Sequence, residues 1–135
     1  MELCLCGSGK KYAACCGSSH HGKQPISGTA LMRSRYSAYA LGLVDYILKT
    51  THPDHPDAKR PEEIRRKEIE EFCQTTTFRG LKILEVQEWD SKGVVKFTAF
   101  LRMDGHDFSF TEKSTFEKVN GQWLYLKGEL SLSTA

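Results

Sequence analysis

Four cysteines crowd into the first sixteen residues, at Cys4, Cys6, Cys15 and Cys16. The run Cys4-Leu5-Cys6-Gly7-Ser8-Gly9-Lys10-Lys11-Tyr12-Ala13-Ala14-Cys15-Cys16-Gly17 has the spacing C-x-C-x8-C-C. Apart from Leu3, its only sizeable apolar groups are Leu5 and Tyr12, so the segment buries no core of its own. Clustered cysteines in a reducing compartment point to a metal before a disulfide. Structural zinc takes four soft ligands in a tetrahedron, here from two short clusters joined by a loop that turns back. Gly7 and Gly9 suit that loop because glycine tolerates positive φ. They also leave amides free to point at the Cys4 and Cys6 sulfurs. The expected cofactor is one structural Zn²⁺ per chain, and metal binding supplies on the order of 10–16 kcal/mol to folding in modules of this size. Lys10 and Lys11 are placed to offset the negative charge of a four-thiolate site.

Three other readings compete for the same residues. Cys15-Cys16 is a candidate vicinal redox pair. Four cysteines also suit an iron–sulfur cluster, although adjacent ligands are awkward for one. His20 or His21 is a candidate replacement for Cys16, but His20-His21 reads more simply as solvated linker. The CLCGSGKKYAACCG run resembles the SEC-C motif, the zinc-binding tail of the bacterial preprotein translocase ATPase SecA. That resemblance implies zinc at Cys4, Cys6, Cys15 and Cys16 and a role in docking a protein partner.

Residues 1–20 therefore read as a metal module, 21–28 as a Gly/Ser/His-rich connector with Pro25, and 29–135 as a second domain. Ser27 or Thr29 caps a helix. Met32, Tyr36, Tyr39, Ala40, Leu43 and Ile47 recur at spacings of three or four, predicting one helix to about Thr50 with Gly42 on it. Pro53 disfavours helix at His52. Pro61 with Glu62 and Glu63 starts a second helix, whose inner side carries Ile69, Phe72 and a buried Cys73. Strands follow. Leu81 to Trp89 slips in its alternation at Ile83-Leu84, which predicts a bulge. Val95, Phe97, Ala99, Leu101 and Met103 alternate cleanly. Asp104-Gly105 and Asn120-Gly121 are hairpin turns. Phe108, Phe110, Glu112, Ser114 and Phe116 should share one face of a long strand, and Gln122 to Leu126 forms the last.

This order predicts an α+β fold, helices followed by an antiparallel meander. LMRSRYSAYA, DYILKTTHP and EKSTFEKVNGQWLYLKG resemble the YchJ-type family of bacterial proteins. The resemblance implies a SEC-C module joined to a nuclear transport factor 2-like (cystatin-like) cone, with helices packed on a curved antiparallel sheet. Such a cone often holds a pocket.

Glu112 lies in phase with phenylalanines, so it should face the cone interior and need a partner or a proton. Arg35 is the expected partner, with Arg33 the nearest other cation, and Ser114 shares the face. The simplest expectation is a structural Arg35–Glu112 ion pair. The sharper one is an acid–base pocket of Glu112, His52 and Ser114. No phosphate loop, nucleophile elbow or dinucleotide fingerprint is present in the sequence.

The leading reading is a zinc-binding adaptor. Lys10, Lys11 and Tyr12 would present a basic surface to a protein partner, while the cone binds a small ligand, packs a second copy in a homodimer, or serves as scaffold. The alternative is an enzyme using the cone pocket, with zinc purely structural. Up to Val44 five bases face one acid, but a sequence pI of about 8.3 argues against nucleic acid as the partner. No apolar run reaches the ~18–20 residues of a membrane span. No secretory signal is visible, which sets the expectation of a cytoplasmic protein.

Overall fold

The computed structural model describes residues 3–131. Its helices are α1 (Cys16–His20), α2 (Gly28–Leu41), α3 (Val44–Lys49) and α4 (Glu62–Thr75). Its strands are β1 (Thr77–Glu88), β2 (Lys92–Met103), β3 (His106–Asp107), β4 (Phe110–Val119) and β5 (Gln122–Ser131). The strands form one antiparallel sheet in the order β1-β2-β4-β5, with the short β3 paired to β2. The α+β cone expected from the sequence is therefore present.

α2 lies across the inner face of this sheet. The side chain of Ser27 caps it by accepting from the Ala30 amide at 3.0 Å. Glu88 of β1 reaches its first turn and accepts from the Thr29 amide and hydroxyl, which suits a carboxylate to a helix N-terminus. Leu31, Met32 and Tyr36 pack against Val95, Phe97, Ala99 and Leu101 of β2 and against Phe116 of β4. Register slips at Arg79, Leu84 and Leu126 leave one unpaired residue each, the kind of irregularity that bends a strand and increases its twist. The slip at Leu84 is the bulge that the broken alternation predicts. The Gly80 amide at the first slip donates to the Tyr36 hydroxyl at 2.9 Å.

Four local expectations change. The helix expected to reach Thr50 ends at Leu41, because Gly42 adopts φ 74° and its amide closes back on Ala38 and Tyr39. α3 then restarts at Val44, so Gly42 is a helix stop. The long strand expected from Phe108 is broken between Asp107 and Phe110. There the Asp107 carboxylate accepts from the Ser109 amide and the Ser109 hydroxyl accepts from the Leu101 amide, leaving Phe108 52% exposed. The last strand runs past Leu126 to Ser131. Cys73, expected to be buried, is only partly so.

Candidate functional site

Two places in the molecule gather chemistry. The first is the cysteine cluster. The sulfurs of Cys4, Cys6, Cys15 and Cys16 all lie within 4.8 Å of one another. Cys6 and Cys15 are 3.6 Å apart, and Cys15 and Cys16 are 3.9 Å apart. A zinc tetrahedron with Zn–S near 2.3 Å has sulfur–sulfur edges of about 3.8 Å, whereas a disulfide needs about 2.05 Å. The geometry thus fits a four-thiolate metal site and not a bonded Cys15–Cys16 pair. Three of the four cysteines are buried. The Cys6 thiol is held down to about 4, chiefly by its contact with the Cys16 thiol, and that same contact pushes Cys16 up. Four thiolates around one divalent metal would leave net negative charge at this cluster.

The cation that meets this charge is Arg33 of α2. It donates to the Cys6 carbonyl at 2.8 Å and lies 3.8 Å from its sulfur. Lys10 and Lys11, expected in that role, are exposed. Tyr12 is not presented outward either. It packs against the cysteines and donates to His20 Nδ1 at 2.6 Å. His20 in turn donates from Nε2 to the Ser34 carbonyl at 2.8 Å. The reading of His20 as solvated linker is therefore corrected: the imidazole is a wedge between the cysteine module and α2. Burial lowers its pKa and keeps it neutral. His21 closes on the Gly17 carbonyl. Leu81 of β1 completes the packing, so the cysteine module rests on both α2 and β1.

The second place is a cavity of about 360 Å³ inside the cone, within the range of about 300–1,000 Å³ typical of small-molecule sites. Its body is apolar, lined by Met32, Tyr36, Phe72, Phe97, Leu101 and Phe110. Its polar end is formed by Arg35, Glu112, Ser114 and Tyr125. Here the structure differs from both sequence expectations. Arg35 and Glu112 make no ion pair among the described residues. Tyr125 stands between them, donating to Glu112 at 3.2 Å while its ring lies 4.7 Å from the Arg35 guanidinium carbon. The Ser114 hydroxyl also donates to Glu112. Arg35 is 8% exposed and donates from Nη1 to the Ile47 carbonyl and to the Thr50 and Thr51 hydroxyls. Burial, followed by the nearby Glu112 charge, pushes the Tyr125 hydroxyl well above the usual phenol range.

His52 lies outside this cavity. It is 5% exposed, accepts at Nδ1 from the Asp54 amide and donates from Nε2 to Glu117 at 3.0 Å. The proposed acid–base set of Glu112, His52 and Ser114 is therefore not assembled; only Glu112 and Ser114 meet. The histidine at the polar mouth is His55, whose ring centre is 5.2 Å from that of Tyr125. Its Nδ1 accepts from the Asp57 amide, and burial lowers its pKa.

Tyr125, His55 and Gly128 are the site residues that the sequence reading passed over. Tyr125 follows Trp123 in strand alternation, a signal that was available. It is locked in place because the chain after α3 runs beside β5. The Tyr125 amide donates to the Thr50 carbonyl, and the His52 amide donates to the Tyr125 carbonyl, both at 2.8 Å. Gly128 is paired with Ser114 across the β4–β5 ladder, and a Cβ there would collide with the Glu112 carboxylate and the Tyr125 hydroxyl.

Comparison with known proteins agrees with this two-part architecture. Residues 27–128 match the family model described as "YchJ, middle NTF2-like domain", and residues 2–18 match the SEC-C motif. A UPF0225 protein of Vibrio vulnificus is 38% identical over 126 residues, covering 93% of this chain and 73% of that protein. One from Deinococcus radiodurans is 39% identical over 128 residues, covering 93% and 88%. The solution structure of a SEC-C motif-containing protein from Rhodopseudomonas palustris superposes with a TM-score of 0.83 at 37% identity, covering 96% of this chain and 98% of that one. An LEH-like epoxide hydrolase of M. tuberculosis, 13% identical with a TM-score of 0.56 over 77% and 82% of the two chains, shares the fold alone.

Proposed function

This chain belongs to the UPF0225 family of YchJ-type proteins, and we propose that it is a small-molecule binding protein braced by a structural zinc. The observation that carries this reading is the cone cavity, an apolar chamber closed at one end by Arg35, Glu112, Ser114 and Tyr125. Apolar lining with a few convergent polar groups is the usual form of a ligand site. Cys4, Cys6, Cys15 and Cys16 would hold the zinc. The metal would supply a covalent-strength cross-link, and four protein ligands leave no open position for a substrate. Arg33 would balance the thiolate charge, and His20 would join the metal module to the wall of the cone.

The test is a titration with the neutral fluorophore N-phenyl-1-naphthylamine, whose emission rises in apolar surroundings. Saturable binding at one site per chain is expected. Emission that rises linearly without saturating would refute the cavity as a binding site.

A second reading concerns the metal end, where Leu3 is 61% and Leu5 47% exposed beside the exposed Lys10 and Lys11. Apolar groups flanked by cations suit a docking face for an acidic protein segment. This reading keeps Lys10 and Lys11 of the expected basic surface and puts Leu3 and Leu5 in the place of Tyr12. An acidic partner captured by the whole protein should be lost on Leu5→Asp and retained on Tyr12→Phe.

A further inference from the structure

We infer that the ligand of the cone cavity is a monocarboxylate with an apolar body, its carboxylate seated against Arg35. This rests on the cavity being a binding site, as proposed above.

Arg35 is a cation more than nine-tenths buried. It faces both the apolar chamber and the polar mouth beyond it. Its hydrogen bonds all leave from Nη1 and all end on neutral oxygens, those of Ile47, Thr50 and Thr51. The other edge of the guanidinium makes no hydrogen bond among the described residues. Burying a cation without an anion is costly, and the Tyr125 ring at 4.7 Å offsets only part of that cost. A guanidinium with one edge to spare is shaped for a carboxylate, which it holds through two parallel N–H donors.

The charged groups lining the chamber and its mouth balance, three guanidiniums against three carboxylates, so the free edge of Arg35 decides the sign of the ligand. Arg60 is committed to Asp57 and Glu68, at 3.4 and 2.6 Å. Arg65 at the mouth has no ion-pair partner among the described residues. Glu112 has no ion-pair partner among the described residues, and one of its oxygens accepts from both Ser114 and Tyr125. Arg35 and Arg65 thus have no ion-pair partner among the described residues, whereas Asp57, Glu68 and Glu112 each already accept a hydrogen bond. His55, with its pKa lowered by burial, adds no charge at neutral pH. The apolar rings from Phe72 to Phe110 leave the body of the ligand no polar contact deeper in the chamber.

Displacement of bound N-phenyl-1-naphthylamine by decanoate, decanol and decylamine tests this directly. Decanoate is expected to displace the fluorophore at a concentration at least tenfold below that of either of the others. Arg35→Gln should erase that preference while fluorophore binding persists. Should Arg35→Gln fail to fold, Glu112→Gln serves instead: removing the neighbouring anion should tighten decanoate several-fold and weaken decylamine. Equal displacement by decanol and decanoate, or loss of decanoate binding on Glu112→Gln with decanol unaffected, overturns the carboxylate assignment and leaves the cavity reading intact. Failure of the fluorophore itself to bind overturns both.

Discussion

At position 128 a hydrogen atom stands where any other residue would place a carbon. That carbon would meet the Glu112 carboxylate and the Tyr125 hydroxyl, the two groups that shape the polar end of the cavity. Gly128→Ala should therefore push both side chains from their positions. Overpacking of this kind costs about 1–3 kcal/mol. We expect a lower denaturant midpoint with an unchanged m-value, and weaker ligand binding. A fully stable Gly128→Ala protein with intact binding would show that Glu112 does not depend on this space. The same neighbourhood shows how far single residues can be read from sequence. Alternation placed Glu112, Ser114 and Phe116 on one face, and they do line the cavity with Phe110. The Arg35–Glu112 pair failed because Tyr125 intervenes, and no local pattern reveals which group on a distant strand fills a gap between two charges. His52 and His55 are three residues apart in one turn. Which of them enters the mouth is settled by the pairing of Thr50 to His52 with Tyr125, a contact between segments more than seventy residues apart in sequence.

Among the elements, the joint between the cysteine module and α2 matters most. α1 has five residues and is too short to persist alone. It is held by the cysteines at its start and by His20 against Ser34 at its end. The outward side of α2 depends on the same joint, since Arg33, Ser34 and Ser37 all bond across it. Chelation of a metal held by the four cysteines should therefore loosen more than the cysteine loop. Hydrogen exchange is expected to accelerate in residues 3–20 and also along α2, with a lower melting temperature. Exchange confined to residues 3–20 would instead mean that the two parts fold independently. Element boundaries were legible wherever a turn had its own chemistry, as at Asp104-Gly105 and Asn120-Gly121, both of which adopt positive φ. The stop at Gly42 was missed because the apolar spacing continues unchanged through it from Tyr39 to Leu43 and Ile47. Periodicity reports which face is buried, not whether the axis is continuous.

For the whole molecule, the proposed use of the cavity for binding is set against stability. A chamber of about 360 Å³ forgoes contacts that a filled core would make. Ala99 sits at the centre of β2, 3% exposed and facing this space, with Leu81 opposite on β1. A larger side chain there can grow into the chamber without moving the backbone. Ala99→Leu adds three carbons, worth at most about 2.4 kcal/mol at about 0.8 kcal/mol for each buried CH₂, and the open chamber keeps the strain of the small-to-large change below that gain. The same carbons occupy ligand volume. We therefore expect a protein that melts several degrees higher and no longer binds N-phenyl-1-naphthylamine or decanoate, measured by thermal denaturation and by titration. Stability bought at the cost of binding marks a site kept open for use. If Ala99→Leu instead destabilises the fold and leaves binding untouched, the chamber closes around its own side chains and the ligand sits elsewhere.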